Sequence, residues 1–265
     1  MIAIAAEAGM PESSAQYPSL RGKRVFITGG GSGIGACVVE AFARQGSRVA
    51  FVDIAAPESE RLVEVVRSKG FDAPWFRICD VSDVAALQAA IRDAAAAVGD
   101  FDVLVNNVAS DDRHAIADVT PEYWDQRMAV NQRPAFFAIQ AVLPGMRRAG
   151  GGCIVNIGSR GWHAKTGGYP AYAAAKASVM GLTRGLAREL GAQRIRINVV
   201  SPGWVMTERQ LRLWAVPDME AELARIQCVP DPIQAHHVAA MVLFLASEDA
   251  AACTAQEFVV DAGWT

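Results

Sequence analysis

The chain has 265 residues, 52% of them hydrophobic, and 25 basic against 28 acidic side chains for a net charge of −3. That is enough apolar material for one large core. The charge balance, with no basic run longer than two residues, excludes a nucleic-acid footprint, and no apolar run reaches the roughly 18 residues of a membrane span. The five cysteines, Cys37, Cys79, Cys153, Cys228 and Cys253, form no C-x-x-C pair. Most of them read as small buried apolar side chains, which favours a reducing, cytoplasmic compartment. His236 and His237 are adjacent and would point apart on a helix, so no metal site is expected.

Residues 1–20 lack a basic n-region and carry Glu7, Pro11 and Glu12, which makes a poor signal peptide. They read as a loose tail ahead of a single domain, 21–265. Arg24–Thr28 is then a short apolar strand feeding Gly29-Gly30-Gly31-Ser32-Gly33-Ile34-Gly35, with a helix expected from Ala36 to Gln45. Strand, glycine turn and helix form a seat for a pyrophosphate, because the backbone can approach closely and the helix dipole favours the charge. The next strand, Arg48–Asp53, ends on a carboxylate placed to hydrogen-bond an adenosine ribose diol. No Arg or Lys stands beside the glycines or directly after Asp53 to receive a 2′-phosphate, which favours NAD over NADP.

The alternation continues with a helix over about Glu58–Lys69, a strand ending Arg77–Val81, a helix over Asp83–Val98 and the strand Val103–Val105. Two helices follow, about Pro121–Asn131 and Pro134–Ala149, then the strand Cys153–Ile157, a long helix after Pro170 and the strand Ile195–Val200. One helical excursion spans about Glu208–Gln227, ahead of a helix near Gln234–Ala246 and a last strand, Glu257–Val260. Strands alternating with helices give right-handed crossovers and a parallel sheet covered on both faces.

On the long helix, Tyr172 and Lys176 stand four apart and share a face. An ammonium that close favours the phenolate and lowers the tyrosine pKa from its usual value of about 10, suiting Tyr172 to acid/base work. Tyr169 is the competing phenol, but it lies two turns from Lys176.

Taken together, Thr28-Gly29-x-x-x-Gly33-x-Gly35, Asn106-Asn107, Asn131, Ser159, Tyr172-x-x-x-Lys176 and Ser201-Pro202-Gly203 resemble the short-chain dehydrogenase/reductase family over roughly residues 22–263. The resemblance implies a single-domain Rossmann-type, doubly wound α/β fold of about seven parallel strands with helices on both faces. It also implies that Tyr172 is the acid/base, that Ser159 holds the substrate oxygen and that Lys176 depresses the tyrosine pKa while bonding the nicotinamide ribose. Asn131 would hold a water linking Lys176 to bulk. The implied cofactor set is Gly29, Ser32, Gly33, Ile34, Gly35, Asp53, Asp80, Val81, Asn107, Pro202, Gly203, Val205 and Thr207, with Tyr172 and Lys176. Within it, Asp80 and Val81 would flank the adenine, Asn107 the adenosine-side ribose, and Thr207 the carboxamide. The family commonly has Asn-Asn-Ala-Gly where this chain reads Asn106-Asn107-Val108-Ala109, and Ala in place of Gly opposes a positive φ at that turn.

A narrower similarity, to bacterial aldose 1-dehydrogenases of the same family acting on D-xylose and L-arabinose, rests on several stretches. These are 17–25, Asp111-Asp112-Arg113-His114, Ser159-Arg160-Gly161-Trp162-His163, 205–214 and Asp261-Ala262-Gly263-Trp264. It implies oxidation of the anomeric hydroxyl of a free sugar by NAD. Arg113, His114, Arg160, Trp162, His163, Trp204 and Gln210 lie on loops after strands or near them, where an aldose pocket could draw hydrogen-bonding groups and an aromatic wall. Of these, Arg113, His114, Trp162, His163, Trp204 and Gln210, with Ser159 and Tyr172, form the expected substrate set. A 3-oxoacyl-type carbonyl reductase would share the catalytic residues, but such enzymes usually prefer NADPH, and the polar rim suits a greasy chain poorly. A non-catalytic regulator on the same fold usually loses the Tyr or Lys retained here. The family is usually a homodimer or homotetramer through its long helices, and Phe136-Phe137 and Met180–Leu182 would suit such contacts.

Overall fold

Strict alternation of apolar side chains explains how one sheet supports two cores. In the computed structural model, which describes Pro11 and residues 14–265, seven strands form a single sheet in the order β3-β2-β1-β4-β5-β6-β7. They are β1 Arg24–Thr28, β2 Arg48–Asp53, β3 Trp75–Ile78, β4 Val103–Asn106, β5 Gly152–Ile157, β6 Ile195–Pro202 and β7 Glu257–Val260. Every pairing is parallel. Val25, Ile27, Phe51, Val105 and Val155 point to one face, where α1 (Gly33–Arg44) and α9 (Ala235–Ala246) cover them. Their sequence neighbours Phe26, Ala50, Val52, Leu104 and Ile154 point to the other, beneath α3 (Val84–Val98) and α5 (Arg133–Arg148). Each fully buried Phe, Leu or Ile contributes about 1.5–3 kcal/mol, so the period of two is strongly selected. The expected doubly wound α/β sheet is therefore the observed one.

The remaining helices are α2 (Ala56–Ser68), α4 (Pro121–Asn131), α6 (Pro170–Gly191), α7 (Glu208–Trp214) and α8 (Met219–Ile226). A buried polar chain joins α6 to the sheet centre. Asn106 Nδ2 donates to Asn156 Oδ1 at 2.8 Å, and Asn156 Nδ2 donates to Thr183 Oγ1 at 3.0 Å. Thr183 lies seven residues past Lys176, so this bond turns the Lys176 face of α6 toward the strands. Strand order reverses between β1 and β4, and the crevice beyond their carboxyl ends is where such sheets take ligands.

Four sequence expectations need correction. Helix α1 starts at Gly33, three residues early, because the second half of the glycine turn is already its first turn. Strand β3 stops at Ile78, opposite Asp53, so Cys79, Asp80 and Val81 belong to the following turn, which Asp80 closes by accepting from Ser82 N–H at 2.9 Å. The excursion over 208–227 is two helices, interrupted where Pro217 precedes Asp218, whose side chain caps α8 by accepting from Ala221 N–H. The expected loose tail lies largely outside the described residues, over 1–10 and 12–13. Its last part is anchored instead: Tyr17 N–H donates to Gln45 Oε1 at 2.8 Å and Leu20 is fully buried.

Candidate active site

The cofactor side is built from backbone. Gly33 has φ +53°, open to glycine at little cost. A Cβ on Gly35 would stand 1.8 Å from the Gly29 carbonyl oxygen, so only glycine lets α1 start this close to the end of β1. Ser32, at the N-cap, makes no side-chain capping bond, which leaves the first-turn N–H groups of α1 facing the crevice for an anion. Asp53 is held from two sides, Oδ2 accepting from Gly31 N–H at 2.8 Å and Oδ1 from Ala55 N–H at 2.9 Å. Its carboxylate is thus fixed at the crevice rim. These residues fit a dinucleotide: a cradle that a Cβ would fill, an uncapped helix end and an oriented carboxylate at the end of β2.

Asn107, expected beside a ribose, is bonded to the glycine turn. Its Nδ2 donates to the Gly29 carbonyl at 2.8 Å and its N–H donates to Thr28 Oγ1 at 3.0 Å, which ties the end of β4 to the glycine turn. Ala109 is not among the positive-φ residues, so its departure from the family pattern costs no strain. Gly203 N–H donates to the Val260 carbonyl, anchoring the end of β6, and Val205 bridges Ile233. Thr207 caps α7, its Oγ1 accepting from Gln210 N–H at 3.3 Å, and its methyl would lie 3.2 Å from a Cβ on Gly33. Helix α7 therefore begins directly over the glycine turn.

Ser159 lies on the loop after β5, its Oγ accepting from Gly161 N–H at 3.2 Å, and it opposes the rise in the Tyr172 pKa. Lys176 lies one turn on, 4% exposed, with Nζ donating to the Ile157 carbonyl at 2.7 Å. Burial alone pulls its pKa down to about 8. The expectation for Tyr172 is reversed in sign. Burial pushes the phenol up to about 12, with the Asp111 carboxylate and Tyr169 adding to the rise, while Ser159 and the Arg113 charge oppose it.

Asn131 ends α4, and its side chain grips Ser110 at both backbone groups: Oδ1 accepts from Ser110 N–H at 2.7 Å and Nδ2 donates to Ser110 O at 3.1 Å. A cavity of about 20 Å³, lined by Asn131, Lys176, Asn106, Asn156, Ile157 and Thr28, lies at this junction. That is room for about one water. Asn106 Oδ1 is buried without a partner, so the cavity lining includes a residue with an unused acceptor.

The expected substrate residues divide. Arg113 is sandwiched, its guanidinium carbon 4.0 Å from the Tyr169 ring and 4.8 Å from the Trp214 ring, while Tyr169 meets Tyr172 edge to face at 5.3 Å. His114 serves the fold: its Nε2 accepts from Ala171 N–H at 3.3 Å in the first turn of α6, where the N-cap Tyr169 offers no side-chain bond. That bond places the ring proton on Nδ1, which faces Asp112 O at 3.0 Å and Tyr123 Oη at 2.9 Å. Trp204 Nε1 donates to Gln210 Oε1 at 3.2 Å, and Gln210 Nε2 donates to Asp111 Oδ2 at 2.7 Å. The Trp162 and His163 rings lie 3.5 Å apart, tilted by 41°, and His163 turns toward Glu257 of β7, 3.9 Å away. Arg160, 7% exposed, bonds Thr265 and Glu257 and is part of the fold rather than of a rim. Sequence reasoning missed Asp111 and Arg209 as a pair: they sit 98 positions apart yet form an ion pair, and no local pattern links them.

Comparison with known proteins agrees with this geometry. The family model described as "Enoyl-(Acyl carrier protein) reductase" matches residues 29–265. A D-xylose 1-dehydrogenase of Caulobacter vibrioides (strain NA1000 / CB15N) is 50% identical over 252 residues, covering 95% of this chain and 99% of that protein. A protein of Rhizobium meliloti (strain 1021) named "Probable galactose dehydrogenase GalD" is 48% identical over 250 residues, 94% and 98% of the two chains. Among solved structures, a 7α-hydroxysteroid dehydrogenase complexed with NADH and 7-oxo glycochenodeoxycholic acid superposes with a TM-score of 0.88 at 29% identity, covering 94% of this chain and 97% of its own. The chain belongs to the short-chain dehydrogenase/reductase family. It is accordingly an oxidoreductase acting on a CH–OH group, of the class that uses a nicotinamide dinucleotide.

Proposed function

We propose that this protein is an NAD-dependent aldose 1-dehydrogenase, oxidising the anomeric hydroxyl of a free sugar to an aldonolactone. The observation that carries the reading is the near full-length 50% identity to a D-xylose 1-dehydrogenase. The polar and aromatic groups gathered around Tyr172 support it, since a polyol needs many fixed hydrogen-bonding partners. Asp53, with no basic residue beside it, supports NAD over NADP, because a 2′-phosphate would meet a carboxylate.

In this reading the glycine turn and the first turn of α1 hold the pyrophosphate, and Asp53 accepts from the adenosine ribose. The bound dinucleotide supplies the acceptor for the hydride that leaves C1. Ser159 Oγ and Tyr172 Oη together hold the anomeric hydroxyl, and Tyr172 Oη takes its proton. Lys176, fixed to the Ile157 carbonyl, lies beside the one-water cavity through which a proton could pass toward Asn131. The protein contributes position and a proton acceptor, the part of the barrier that geometry and acid/base catalysis can lower. The test is a panel of D-xylose, L-arabinose, L-fucose and D-galactose with NAD and with NADP, following reduced cofactor. Turnover of at least one aldose, with kcat/KM for NAD at least about tenfold above NADP, is expected from one lost charge-assisted bond. No turnover of any aldose would reject the reading, and equal use of NADP would reject its cofactor half.

A further inference from the structure

Asp111 lies on the loop after β4 that also carries Arg113, whose guanidinium packs on Tyr169 where that ring meets Tyr172, and its own bonds leave acceptor positions over. Its side chain is 15% exposed, and its charge acts on the Tyr172 phenol. Oδ1 accepts from Arg209 and Oδ2 accepts from Gln210 Nε2 at 2.7 Å, both in α7. Arg209 also reaches Asp112 Oδ1 at 2.6 Å, and Asp112 Oδ2 accepts from Arg127 at 2.8 Å and from Ser110 Oγ at 2.7 Å. Ser110 in turn is gripped by Asn131. Asp111 therefore belongs to a network that runs from α7 to the end of α4.

A carboxylate has about four lone-pair positions, and the recorded bonds use two of those on Asp111. The Arg209 charge offsets the cost of keeping an anion next to a phenol that must lose its proton. An acid whose position opposes the chemistry, and whose charge the protein neutralises locally, calls for another use for its acceptors. A sugar hydroxyl supplies that use.

We propose that Asp111 is a specificity-determining residue that accepts a hydrogen bond from a ring hydroxyl of the sugar other than the one oxidised. The proposal rests on the aldose reading above. Arg209 and Gln210, both on α7, hold the carboxylate in position. Tyr169 meets the Tyr172 ring edge to face, and the Arg113 guanidinium lies over Tyr169.

The test compares wild type with Asp111→Asn on an aldose that wild type oxidises and on tetrahydropyran-2-ol, a cyclic hemiacetal with the reacting centre but no other ring hydroxyl. A lost charged acceptor costs roughly 10- to 100-fold, so the ratio of kcat/KM for the aldose over that for tetrahydropyran-2-ol falls by about that factor. The loss is carried mainly by KM for the sugar. An unchanged ratio, whether both activities fall together or neither does, overturns the proposal and leaves Asp111 as a tie for α7 only. Thermal melting and NADH binding of Asp111→Asn show whether the variant folds; should it not, Asp111→Glu, which keeps the charge and moves it, is expected to lower the same ratio, and an unchanged ratio there overturns the proposal. Wild type inactive on every aldose would instead defeat the aldose reading, and this proposal with it.

Discussion

The two halves of the crevice are made in different ways. The cofactor half, at the ends of β1, β2 and β4, is a backbone construction: a positive φ at Gly33, a carbonyl 1.8 Å from the position of a Gly35 Cβ, and Asp53 fixed by two N–H groups. The proposed substrate half is made of side chains that meet from distant segments, with Asp111 and Asp112 on the loop after β4 bonded to Arg209 and Gln210 of α7. Backbone geometry admits few residue types, so a small change there is severe. A side-chain network can be altered one bond at a time, which is how one family scaffold can serve different substrates.

The largest effect should come where the two halves meet. Tyr172→Phe removes the proposed proton acceptor and should lower kcat by about 10²–10⁴ while leaving dinucleotide binding within a few-fold. Steady-state rates with a fluorescence titration of NADH check both. In wild type, with the phenol pushed up to about 12, oxidation should accelerate as pH rises, and a flat profile would contradict that assignment.

Gly35→Ala tests the backbone half. Its Cβ cannot coexist with the Gly29 carbonyl, so strand end and helix must separate. We expect about 1–3 kcal/mol of lost stability and strongly weakened NADH binding, measured by denaturant melts and titration. Full affinity in this variant would show that α1 has slack that the structure denies. Asp53→Ala should be milder, raising KM for NAD about 10- to 100-fold and narrowing the preference over NADP, with kcat little changed.

The smallest effect concerns Lys176. Its pKa falls from 10.5 to about 8 because the fold penalises the ammonium, so burial costs stability below about pH 8, and the cost fades as pH rises toward 10.5. Lys176→Met should therefore melt higher than wild type at pH 7, by on the order of 1–3 kcal/mol, with the gain shrinking toward pH 10. The loss of the bond to Ile157 O partly offsets the gain. A gain that did not depend on pH would place its origin in packing instead.

The same contrast decides what could be read in advance. The strands, their parallel order and the two-faced core follow from alternation in stretches such as Val25-Phe26-Ile27, where each side chain has only one face to choose. Tyr172, Lys176 and Ser159 could be proposed from the sequence because helical spacing and family motifs are local. The direction of the Tyr172 shift could not, since burial dominates it and four-residue spacing does not set burial. His114 and Arg160 looked like rim residues by residue type and proved to be held in the fold, one capping α6 and the other bonded to Thr265 and Glu257. Asp111 meets Arg209 only because β4 and β6 bring their following segments together at the same end of the sheet.

The most direct test of the central claim uses an aldose deuterated at C1 that the wild-type protein turns over with NAD. The deuterium should appear in the reduced nicotinamide, and the sugar should leave as the aldonolactone. Reduced cofactor without deuterium, or a product oxidised at any other carbon, would contradict the assignment.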